Sequence, residues 1–259
     1  MFLASLEKSL KAIVLKPAIM FPMLVATLVS IFSMNLTGFV LEKPLSEMLF
    51  HLDVIMTSDL IAILISRYWI ELIIMIVSGF IVFFVSIVAF ISLSKFTKKE
   101  NVVESINFAV SNVKKAISLT FFIFITSVSL FIIFQLFLFI IDIFYLILPE
   151  EINFFIALFV IPVIMGVIIV IFITKLGFTL PALIDNNIRN AIKKSWEFTD
   201  KKFWISFVYI IVILLIAIII LSAFTNIGII FELSLLFSSI GEIISMTFIG
   251  LAISYYYFN

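Results

Sequence analysis

"NNIRNAIKKSWEFTDKKFWISFVYIIVILLIAIIILSAF" (Asn186–Phe224) carries seven charged side chains in its first 19 residues and none in its last 20. The second half is apolar on every helical face, and roughly 20 such residues cross about 30 Å of hydrocarbon. The first half has a different pattern. Ile188, Ala191, Ile192, Ser195 and Trp196 recur at i, i+3, i+4, i+7 and i+8, one stripe of a helix, with Arg189, Asn190, Lys193, Lys194 and Glu197 facing away. Asn186 or Asn187 supplies the N-cap. A basic amphipathic helix leading into a span belongs in the membrane interface. There Trp196 and Trp204 would sit at headgroup depth, and Arg189, Lys193, Lys194, Lys201 and Lys202 would reach anionic phosphates.

Across all 259 residues, 64% are hydrophobic and 12% charged, a palette from which no water-soluble surface can be assembled. The apolar runs do not alternate, which excludes a barrel. Spans are expected at about 18–40, 68–93, 117–148, 152–173, 203–224 and 233–255. The first is a retained span, since the run after Pro17 is too long for a signal peptide. The third exceeds what a bilayer requires, so it tilts or projects. It turns tightly into the fourth around Pro149–Glu151.

Fourteen of the 16 basic residues, with six acids, fall before span 1, between spans 2 and 3, and between spans 4 and 5. The other side holds nine acids and two bases, Lys43 and Arg67. Positive-inside sorting then puts both termini in the cytoplasm and the chain in the cell (plasma) membrane as a multi-pass protein.

The basic helix has two counterparts. Leu3, Leu6, Leu10, Ile13 and Val14 form a stripe before span 1, and Ile106, Ala109, Val110 and Val113 form one before span 3. The expected fold is therefore an all-α integral membrane protein. Its six transmembrane helices form three hairpins, each preceded by a cytoplasmic interfacial amphipathic helix. It is one polytopic domain over residues 1–259, with units 1–93, 101–173 and 186–255. Between spans 1 and 2, Leu45, Met48, Leu49, Leu52, Ile55 and Met56 read as a helix lying on the outer face.

"FTLPALIDNNIRNAIKKSWEFTDKKFW" (Phe178–Trp204) resembles a signature of the membrane domain associated with glycerophosphoryl diester phosphodiesterases and related six-span proteins. In those, an amphipathic helix with an Ala-x-x-x-Ser-Trp-like core precedes an aromatic residue that opens the next span. Here the core is Ala191, Ser195 and Trp196, followed by Phe203 and Trp204. "SLEKSLKAIVLKPAIMFPML" (Ser5–Leu24), with Pro17 and Pro22, is similar to the family's opening. The resemblance implies a membrane domain without the soluble catalytic barrel, so phosphodiester hydrolysis does not carry over.

Glu242 is the one charged residue deep within an expected span, near the midplane of span 6, with Ser234, Ser238 and Ser245 on its face. Two readings fit: a proton- or cation-linked site, or a protonated carboxylic acid acting as packing glue. Gln135 and Asp142 are solvated if span 3 projects, and Pro162 with Gly166 makes either a kink or a broken binding helix in span 4. Without cysteine, and with His51 as the only histidine, no thiolate, histidine triad or histidine-rich metal centre can be built. No enzyme activity, metal, cofactor or nucleic acid is expected. The expectation is a non-enzymatic, lipid-associated or accessory protein of envelope maintenance. The alternative is a small transporter or lipid translocator working through the Glu242 stripe. Its partners would be membrane lipids, with a membrane protein or a second copy of the chain as further candidates.

Overall fold

A computed structural model describes residues 2–50, 59–145 and 160–259, all of whose regular structure is helical. Among these residues, six helices are long and apolar enough to cross a membrane.

α1 (Phe2–Leu15) ends where Pro17 enforces a change of direction. Lys16 leaves helical geometry, and Pro17–Met20 makes one 3-10 turn before α2 (Phe21–Phe50). α3 (Asp59–Lys99) spans 41 residues, about 60 Å of helix, and stops at Glu100 in a left-handed conformation, φ 53°. Next come α4 (Val102–Ser111) and, after Asn112 alone, α5 (Val113–Tyr145). α6 (Ile161–Leu176) contains Pro162 and is continuous through Gly166. The helix is therefore not broken at Gly166.

Beyond α6, the short α7 (Thr179–Leu183) is followed by α8 (Ile188–Asp200). α9 (Phe203–Ile230) and α10 (Ser234–Phe258) complete the chain. The caps are those that asparagine favours: the Asn101 and Asn187 side chains accept from the backbone N–H of Glu104 (3.2 Å) and Asn190 (3.0 Å).

α10 is the centre of the bundle. It packs along α9 and against α1, α2, α3 and α7. Two glycines permit these approaches. A Cβ at Gly241 would lie 2.8 Å from the Phe224 Cβ, and one at Gly250 would lie 2.7 Å from the Leu93 Cδ1. Among lipid-soluble helices such small residues let backbones close on each other. The Ser94 and Ser254 hydroxyls meet at 2.8 Å across the α3–α10 contact. Ile205, Val208, Leu215, Ile218 and Ile219 on the outer side of α9 stay exposed, a surface suited to hydrocarbon.

The structure changes one expected element. Leu45, Met48 and Leu49 do not lie in a separate surface helix, because α2 runs on through them to Phe50. Leu52, Ile55 and Met56 fall outside the described residues, as does the expected turn at Pro149–Glu151. The reason is general: an amphipathic period fixes which residues share a face and says nothing about the direction of the helix axis. A helix leaving hydrocarbon also keeps its backbone hydrogen bonds most simply by continuing.

Candidate functional site

Side-chain contacts gather the short helices at one end of the bundle. The Lys16 ammonium joins the start of α2 to the end of α3 through the Glu100 carboxylate (3.3 Å) and carbonyl (3.1 Å). Lys98 pairs with Asp185, Lys99 with Glu104, and Lys175 with Asp200. Lys115 donates to the Leu183 carbonyl at 3.5 Å, and Lys8 to the Asn259 side chain at 3.2 Å. The three loop regions that the charge count grouped together thus meet in space.

The stripe on α8 is divided. Ala191, Ser195 and Thr199 are fully buried against the protein, with Ser195 donating a 2.5 Å hydrogen bond to the carbonyl of Lys175 at the end of α6. That bond satisfies a helix-terminal carbonyl which otherwise has no intrahelical partner. Trp196 is 41% exposed, and the Lys175 ammonium lies 5.3 Å from its ring centre. Lys175 is therefore occupied within the protein. Arg189, Lys194, Lys201 and Lys202 are exposed and make no ion pair among the described residues, whereas Lys193 lies 3.7 Å from Glu197. Five of the expected headgroup contacts, all but Trp196, thus present charge outward.

α1 and α4 are built the same way. Ser5 and Ser9 are buried on α1, and Ser105 and Ala109 on α4, matching Ala191 and Ser195 on α8. Each helix docks through a pair of small residues one turn apart, which lets its axis come close to its neighbours. Only part of the apolar stripe remains outside. Leu3, Leu10 and Val14 on α1 and Val110 on α4 are exposed, while Leu6 and Ile13 are buried.

Glu242 stands on α10 beside the close approach at Gly241, half-buried. Its carboxylate has no hydrogen bond or ion pair among the described residues. The serines on its face do not supply one: Ser238 donates to the Leu235 carbonyl and Ser245 to the main-chain carbonyl of Glu242. Ser234 begins the helix, exposed. No group of three histidine, cysteine or acidic residues positioned for a metal occurs among the described residues.

Two features were not found from the sequence. The first is an aromatic cluster around the last turn of α10. Tyr256 stacks on Tyr209 at 4.0 Å and approaches Phe178 and Phe198, while Tyr257 lies 5.1 Å from Phe198. The run Tyr255–Phe258 was the signal, since four aromatics in a row cannot all face lipid. The second is a cavity of about 610 Å³ lined by Lys8, Lys11 and Lys16, by Lys98 and Glu100, and by Phe258. Its residues come from positions about 8–16, 96–100 and 255–259, too far apart to be read as one motif.

Comparisons with protein families, with curated proteins and with solved structures find no match for this chain.

Proposed function

We propose that this is a non-enzymatic multi-pass protein of the cell (plasma) membrane whose basic end engages anionic lipid headgroups. α1, α4 and α8 would lie in the cytoplasmic interface, each leading into a transmembrane hairpin. Its role would be lipid-associated or accessory to envelope maintenance. The observation that carries this reading is the outer face of the docked helices. Exposed Leu3, Leu10 and Val14 stand on α1, and exposed Arg189, Lys194, Lys201 and Lys202 stand on or just after α8, the helix that carries the partly exposed Trp196. The resemblance of Phe178–Trp204 to a phosphodiesterase-associated membrane domain is in keeping with a lipid setting. Anionic lipids, and beyond them a membrane-protein partner or second copy, are the partners this implies.

The test is native mass spectrometry of the full chain in neutral detergent with phosphatidylglycerol or phosphatidylcholine. Preferential retention of phosphatidylglycerol is expected, weakened when Lys193, Lys194, Lys201 and Lys202 are changed to glutamine. Equal retention of the two lipids by folded protein would overturn the reading.

One observation favours a second reading, transport through the bundle: the Glu242 carboxylate lacks a partner among the described residues within a candidate span. Glu242→Gln would then abolish a pH-dependent flux in proteoliposomes while the protein still folds. A flux unchanged in this variant would exclude it.

A further inference from the structure

We propose that the cavity between α1, the end of α3 and the end of α10 binds a phosphate group. Four lysines line it, Lys8, Lys11, Lys16 and Lys98, with Glu100 the one acidic residue of the lining; Lys16 pairs with Glu100, and Lys98 with Asp185 beyond the lining. Their existing bonds are weak enough to yield. Lys8 makes no ion pair among the described residues, holding the Asn259 amide oxygen and lying 6.0 Å from the Tyr255 ring centre, while Lys11 pairs with Glu7 at 2.5 Å on the exposed face of α1. Exposed pairs of that kind contribute little, and a phosphate carrying up to two charges competes well for lysine ammoniums.

The cavity is also partly preorganised. The Lys16 ammonium rests 5.5 Å from the Phe96 ring centre and the Lys98 ammonium 4.5 Å from that of Phe258. Holding a long side chain over a ring reduces the rotamer freedom lost on binding. At about 610 Å³ the space exceeds what inorganic phosphate needs and suits a phosphate ester.

α1 faces three ways. Ser5, Ser9 and Ile13 meet the protein, Leu3, Leu10 and Val14 form the exposed apolar row, and Lys8 and Lys11 point to the cavity about a third of a turn further round. The phosphate could be carried by a lipid headgroup or by a soluble ester, and the recognition chemistry is the same. The inference stands apart from the lipid reading of α8, since a soluble ester would fill the cavity with no lipid bound.

Calorimetric titration of the full chain in neutral detergent tests this with two probes, glycerol 3-phosphate and dihexanoyl phosphatidylglycerol. Saturable binding of at least one is expected. Lys8→Gln with Lys11→Gln should weaken it about tenfold, the effect of losing charge-assisted bonds. Glu100→Gln should tighten it, by about threefold or more, because it frees Lys16 and removes the competing anion. A gain of affinity cannot arise from misfolding. Lys114→Gln, at an exposed lysine outside the cavity, should leave the glycerol 3-phosphate titration unchanged. Binding of glycerol 3-phosphate would identify a soluble ester as sufficient, and binding of phosphatidylglycerol alone, weakened by Lys8→Gln with Lys11→Gln, would assign the site to a headgroup. The proposal is overturned if neither probe binds the native chain, or if the cavity variants all bind as it does.

Discussion

The Tyr209 hydroxyl donates a 2.8 Å hydrogen bond to the carbonyl of Ala252, tying α9 to α10 at a side chain with no solvent exposure. Its ring stacks on Tyr256 and receives the edge of Phe2 at 4.8 Å, so α1 is joined to the same point. Tyr209→Phe keeps the ring and should cost about 2 kcal/mol, the net worth of the bonds to Ala252 and to the Ser5 side chain. Tyr209→Ala should cost about 3–5 kcal/mol through the cavity it opens. Thermal midpoints in one detergent would check the order. An alanine variant as stable as the native protein would refute this account of the junction.

Gly241 and Gly250 should respond unequally to alanine. A Cβ at Gly241 meets the Phe224 Cβ and, at 3.4 Å, the Leu221 Cα, atoms close to a backbone that cannot swing aside. A cost of about 1–3 kcal/mol is expected there. At Gly250 the obstacles are the outer atoms of Leu93 and Phe90, which can rotate. Gly241→Ala should therefore melt at the lower temperature, and the reverse order would contradict the packing of α10 on α9.

The chain contains no cysteine, so single cysteines report accessibility without background. Ala191→Cys should resist a water-soluble maleimide and Lys194→Cys should react readily, because the first residue is buried and the second exposed. Comparable labelling of both in folded protein would show that α8 is not docked through its small-residue row.

Glu7 provides the pH-dependent case. The Lys11 ammonium, by hydrogen bond and charge, holds its carboxyl below the ordinary carboxylate range. Because the folded pKa is the lower one, the pair's contribution to α1 is present above the ordinary glutamate value and is lost as pH falls through the folded value. Carboxyl ¹³C shifts should show Glu7 titrating at lower pH than in Lys11→Ala. Identical titrations would mean that the pair does not form in solution.

Much of the architecture was legible because hydrocarbon imposes length: Phe203 and the region of Ser234 open helices close to where the apolar runs begin. The cap at Asn187 and the grouping of basic loops follow from equally local rules. What escaped were choices made by neighbours. Ile188 to Trp196 read as one lipid-facing stripe, yet burial of Ala191 and Ser195 depends on the end of α6 lying beneath them. Lys8 and Lys98 looked like ordinary topology signals until the end of α10 brought them to one cavity. Leu45 to Leu49 showed a face without a direction.

The central place of α10 has a consequence for biogenesis. Translation delivers it after α2, α3, α5, α6 and α9, the other described helices able to span a membrane, so its partners α1, α2, α3, α7 and α9 are made before the surface they share exists. Insertion of the spanning helices follows from hydropathy, whereas the mutual arrangement of these partners waits for one late arrival. Chains arrested before Ser234 should accordingly be inserted yet open to protease at α1 and α8, and release of the full chain should close both sites together.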